Sequence, residues 1–97
     1  MIRLEARFFK KGILKNISHL DVVRLFQRAV RRADLPVALS QGYSPHYKIS
    51  FGEALKLGLE SEAEKVAFTL DKWLDFEEFL QRLNEKLPEG IKCRKKY

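Results

Sequence analysis

From Ile2 to Phe8 the apolar residues fall on the even positions (Ile2, Leu4, Ala6, Phe8), while Arg3, Glu5 and Arg7 take odd ones. A period of two places alternate side chains on opposite faces of a half-buried strand. Lys10-Lys11-Gly12 interrupts the pattern. Ser18 with Asp21 three residues later predicts a helix start, since a side-chain oxygen there accepts from the unpaired amides of the first turn. At about 100° per residue, Val22, Phe26, Ala29, Val30 and Ala33 share one side of that helix, and Arg24, Arg28 and Arg31 share the other. Asp34-Leu35-Pro36 ends it, because proline disfavours helical geometry in the residue before it and has no amide to donate.

Residues 37–62 carry a short apolar run (Val37, Ala38, Leu39), the turn-rich Ser40-Gln41-Gly42-Tyr43-Ser44-Pro45, and then Tyr47 to Phe51. This predicts a broken or hairpin-like second strand. Alternation returns from Glu64 to Leu70 through Val66, Phe68 and Leu70, a third strand. Asp75 with Glu78 repeats the capping logic, and Phe76, Phe79, Leu80, Leu83 and Leu87 form a helical stripe that Pro88-Glu89-Gly90 terminates. Ile91 to Lys96 reads as a last strand, with Ile91 and Cys93 inward and Lys92 and Arg94 outward. The order strand, helix, strand, strand, helix, strand predicts an α+β fold, the ferredoxin-like β-α-β-β-α-β sandwich with two helices on one face of an antiparallel sheet.

Composition sets the limits within which this fold is read. Ninety-seven residues, 45% hydrophobic and 33% charged, are expected to form one globular domain over residues 1–97 rather than a disordered or fibrous chain. No apolar run approaches the roughly 20 residues that span a bilayer. The N-terminus carries no secretory signal pattern, and the lone Cys93 has no internal disulfide partner, so a reducing, cytoplasmic setting is expected. Charge is unevenly spread: residues 1–52 hold ten Lys and Arg against three acids, and residues 53–97 hold nine against ten. The net +6 therefore resides in the first half, a distribution that suits an anionic partner.

Few residues could support catalysis. His19, just after the predicted cap, reads as a structural or capping histidine. His46, between Pro45 and Tyr47, is a weak candidate for a general acid or base, and its plainer reading is a solvated loop histidine. Cys93, His19 and His46 lack zinc-ligand spacing, and Glu60, Glu62 and Glu64 read as solvated carboxylates without the remaining ligands of a calcium loop. No glycine-rich phosphate loop is present, so neither a metal nor a cofactor is expected. Nucleic-acid binding has the better physical case: Arg24, Arg28 and Arg31, bordered by Arg32, can pair with successive phosphates. The expected outward positions of the first and third strands offer Phe9 as their one stacking aromatic, which argues against a standard RNA-recognition sheet. Tyr43, Tyr47 and Phe51 are the other aromatic candidates, Phe51 being the best suited to the core.

The succession Ser18-His19-Leu20-Asp21, Arg28-Ala29-Val30-Arg31-Arg32-Ala33, Ser40-Gln41-Gly42-Tyr43-Ser44-Pro45, Ile49-Ser50-Phe51-Gly52 and Leu57-Gly58-Leu59-Glu60-Ser61-Glu62 resembles the radical-SAM-linked protein family. This bacterial domain of unknown function is often adjacent or fused to B12-binding radical-SAM proteins. The resemblance implies a context of RNA or ribosome maturation, or an accessory role beside a radical-SAM protein. It also implies a longer family domain, of which these residues would be the N-terminal part or a compact version. The chain lacks the CxxxCxxC motif of a radical-SAM core. The leading expectation is a non-catalytic module that contacts RNA through Arg24, Arg28, Arg31, Arg32, Gln41, Tyr43, His46 and Lys48, with no pointer to DNA or membrane. The alternatives are a docking domain for a radical-SAM protein, and a small metal-independent ribonuclease with His46 as base, Tyr43 or Tyr47 assisting and Lys48 stabilising charge.

Overall fold

The computed structural model describes residues 2–52 and 61–95. Strand β1 (Ile2–Lys10) is followed by a short 3-10 turn (Gly12–Asn16), helix α1 (His19–Arg32), β2 (Ile49–Phe51), β3 (Ser61–Leu70), helix α2 (Phe76–Lys86) and β4 (Ile91–Lys95). The strands lie in the order β2-β3-β1-β4 with every pairing antiparallel. This is an α+β fold consistent with the ferredoxin-like arrangement.

Pairing of Leu4 with Phe68 and Ala6 with Val66 turns the even positions of both central strands to the same side. There they meet the apolar stripes of the helices. Phe26, Val30, Phe68, Leu70, Phe79 and Leu83 are fully buried, and the rings of Phe8, Phe26, Phe68 and Phe79 form a chain with centroid separations of 5.0, 6.2 and 4.9 Å. Tilted and edge-to-face contacts of this kind add to the burial of apolar area. Phe51 joins from β2, its ring edge-on to those of Phe8, Phe26 and His19.

Both predicted caps form: Ser18 Oγ accepts from the Asp21 amide at 3.1 Å and an Asp75 carboxylate oxygen from that of Glu78 at 3.3 Å. The C-terminus of α1 is closed from outside. Arg82 of α2 donates to the carbonyls of Ala33 at 2.6 Å and Asp34 at 2.9 Å, where Asp34 turns the chain at φ 52°. Asn84 of α2 donates to the Cys93 carbonyl at 2.9 Å and accepts from its amide at 2.8 Å, while the Ile91 amide donates to the Pro88 carbonyl. The turn into β4 requires Gly90, at φ 100°, because a Cβ there would lie 2.8 Å from the Lys11 carbonyl oxygen. Cys93 is buried, and burial pushes its thiol well above the usual range. It is a packing residue, held in the unreactive protonated form.

Two expectations are corrected. Lys10 does not end the strand: it pairs with Ser61 and Ile91 across a register shift and sits on the core side at 1% exposure. Glu64 is not a freely solvated carboxylate, because β3 starts before it and sets it opposite Phe8; Glu60 lies outside the described residues. Burial raises the Glu64 carboxyl above its ordinary value, against the opposing pull of Lys10 and then His19. The folded state therefore holds the proton more tightly than the unfolded chain. The stability this contributes is full below the ordinary glutamate range, about pH 4, and is lost as pH climbs through the raised value. Glu64→Gln, fixed in the neutral form, is expected to flatten that decline. Thermal melts from about pH 4 to about pH 7 measure it, and a decline as steep as in the wild type would show that Glu64 is not its source.

Candidate functional site

Helix α1 divides its surface cleanly. Val22, Phe26, Ala29 and Val30 face the core, and Arg24, Gln27, Arg28 and Arg31 follow one another along another flank at i, i+3, i+4 and i+7, the arginines exposed and Gln27 half-buried. The stripe faces the segment that leads into β2. That segment folds as a hairpin: Leu39 bridges Tyr47, the Ser40 amide donates to the His46 carbonyl at 2.7 Å, and the Lys48 amide to the Ala38 carbonyl at 2.8 Å. Gln27 joins helix and hairpin. Its amide donates to the Tyr47 carbonyl at 2.9 Å and its carbonyl accepts from the Tyr47 amide at 2.8 Å, the same two-point exchange that a neighbouring strand would make.

The result is a groove with Arg24, Gln27, Arg28 and Arg31 on one wall and Leu39, Pro45, His46 and Tyr47 on the other. Arg24 is 3.6 Å from Asp21 in an exposed pair, which is screened by water and salt. Among the described residues Arg28, Arg31 and Arg32 make no ion pair. His46 is held in place: its amide donates to Ser40 Oγ at 3.1 Å, and Nδ1 lies 3.2 Å from that hydroxyl and 3.4 Å from the Ser44 carbonyl. A carbonyl can only accept, so the tautomer that serves Ser44 carries the proton on Nδ1 and leaves Nε2 as an acceptor. Leu39 is 54% exposed for a leucine on a strand-like arm. The groove thus offers guanidinium donors on one side and an apolar, partly aromatic wall on the other, an arrangement suited to a ligand with both phosphates and flat rings.

Of the residues singled out from the sequence, Arg24, Arg28, Arg31, His46 and Tyr47 come together here. Arg32 is exposed on the last turn of α1, Gln41 and Tyr43 are exposed in the hairpin loop, and Lys48 is exposed where the hairpin gives way to β2. Neither Tyr43 nor Lys48 lines the groove beside His46. Sequence reasoning missed Gln27 and Leu39. Gln27 was within reach, since it stands on the arginine stripe as the one uncharged polar residue. His19 sits at the start of α1 with its ring 5.5 Å from that of Phe51. Among the described residues no group of three His, Cys, Asp or Glu side chains is placed to hold a metal ion, and no helix is long and apolar enough to cross a membrane.

A family model described as an uncharacterised protein conserved in bacteria (DUF2344) matches residues 3–96. No curated protein and no solved structure matches the chain.

Proposed function

Starting from the chain's membership of a family of uncharacterised proteins conserved in bacteria, we propose that it is a non-catalytic RNA-binding module, accessory to RNA or ribosome maturation. The groove between α1 and the hairpin is its binding site. One observation carries this reading: Arg24, Arg28 and Arg31 line one wall of a groove whose other wall holds Leu39, Pro45, His46 and Tyr47. Guanidinium groups on successive turns can pair with successive phosphates, while the opposite wall gives unpaired bases a surface to stack on. A duplex keeps its bases inside, so the ligand that uses both walls is single-stranded. Arg32, Gln41, Tyr43 and Lys48 are exposed around this groove or beyond it, where they extend the basic and aromatic contact.

Fluorescence anisotropy with total cellular RNA across a salt series, against an acidic polymer that carries charge without bases, tests the reading. RNA is expected to bind more tightly than the polymer. Each phosphate contact to a single strand contributes about 0.7 to the slope of log K against log salt, so Arg28→Ala with Arg31→Ala is expected to reduce that slope by about 1.4. Equal binding of polymer and RNA, or an unchanged slope, would overturn the assignment. Failure to bind RNA together with direct binding to a radical-SAM protein would favour the docking role that the sequence resemblance implies.

A further inference from the structure

The face of the sheet turned away from the helices carries a second concentration of positive charge that no run of sequence reveals. Arg7 of β1 is the cross-strand partner of Lys65 on β3 and of Arg94 on β4, so three cations stand in one row across three adjacent strands. Arg3 and Lys92 lie on the same face. Glu5, which pairs with Arg3 at 3.6 Å, is the one acid among the described outward positions of β1, β3 and β4. A phosphate backbone laid across the row would meet charge of the opposite sign on three strands.

The surface is also shaped to admit one. Arg3, Glu5, Arg7, Ser50 and Lys65 rim a shallow trough of about 290 Å³, whose floor is Ala67, buried at 6% exposure. A small residue at the centre of a rim of long cationic side chains lets a backbone approach while the charges close over it. Phe9, the outward aromatic of β1, has the Lys11 ammonium 5.2 Å from its ring centroid, so the face is suited to phosphates more than to base stacking. The trough adjoins the helix groove in the chain: Tyr47 lines the groove, Lys48 is exposed, and Ser50 of β2 lines the trough.

We propose that the open face of the sheet is a second phosphate-binding surface, which takes the backbone of a single RNA strand after it leaves the helix groove over the β2 edge. This rests on the RNA-binding reading and extends it from one face to two.

The test uses oligouridylates of about 5 and about 15 nucleotides, lengths near the two ends of common single-strand site sizes, with the wild type, an Arg28→Gln/Arg31→Gln variant and an Arg7→Gln/Lys65→Gln/Arg94→Gln variant. For the longer oligomer the sheet variant is expected to lower the salt slope by about 2, three contacts at about 0.7 each, and for the shorter one to leave it unchanged. Thermal melting checks that the sheet variant folds. If it does not, Lys65→Glu alone, at an exposed position, carries the test and is expected to weaken the longer oligomer at least threefold. A slope or affinity unchanged by the sheet substitutions but lowered by the helix pair would overturn this inference and leave the groove standing. The reverse result would overturn the groove and keep the sheet surface, and a wild type that binds neither oligomer would overturn both.

Discussion

Phe68→Ala is expected to cost about 3–5 kcal/mol, the range for truncating a buried phenylalanine. Phe68 is fully buried on a strand paired on both sides, opposite Leu4 and Ile49. It touches a ring from each helix, Phe26 of α1 at 6.2 Å and Phe79 of α2 at 4.9 Å between centroids. The loss has two parts: the transfer energy of the ring, and the cavity left because strands fixed by ladder hydrogen bonds and helices fixed by caps relax only in part. Against a total of about 5–15 kcal/mol, with a small domain toward the lower end, the variant is expected to be close to unfolding at 37 °C. Phe68→Leu keeps most of the volume and is expected to cost less than half as much. Urea unfolding followed by circular dichroism measures both, and a Phe68→Ala loss below about 1 kcal/mol would mean that the two helices do not meet over β3 in this way.

Arg82→Ala is expected to cost about 2 kcal/mol, the size of a hydrogen bond made by a charged donor. The guanidinium reaches from α2 to two carbonyls at the end of α1, where the helix leaves its last acceptors open and the macrodipole favours a cation. Its 3.5 Å contact with Glu78 is exposed on the carboxylate side and adds little. Both bonds come from one terminal nitrogen, Nη2, whose two hydrogens are held in the guanidinium plane and aimed at the two carbonyls, whereas an ammonium on a flexible stem is a point charge without that fixed direction. Arg82→Lys is therefore expected to recover less than half of the loss. Hydrogen exchange should locate the damage at the Ala33 and Leu35 amides, which bond back to the last turn of α1. Full rescue by lysine, or exchange unchanged there, would show that Arg82 acts only through its charge.

The pattern of apolar positions was enough for β1, α1, α2 and β4 because each buries one face and so repeats every two or every 3.6 residues. Ser18 and Asp75 marked the helix starts through a chemistry local to one turn. What escaped the sequence depends on partners far away in the chain. Lys10 looked like an interruption because its burial is set by Ser61 and Ile91 on either side. Glu64 looked solvated until the register set it opposite Phe8. Arg24, Arg28 and Arg31 were legible as a stripe, and His46 and Tyr47 as candidates, but their meeting across one groove was not, since Gln27 bonds to Tyr47 from a helix distant in the chain. The Arg7, Lys65 and Arg94 row is a property of strand register and has no counterpart in spacing along the chain.

Asn84 bears on how this molecule can be recognised. By taking both the amide and the carbonyl of Cys93, with Pro88 taking the Ile91 amide, it occupies main-chain groups in the middle of the outer edge of β4, where another extended peptide would attach. Recognition by strand addition would first have to evict a carboxamide anchored on α2. A partner that arrives at this border of the sheet must therefore read side chains, and two copies of the chain have no ready template there for joining edge to edge into a continuous ribbon.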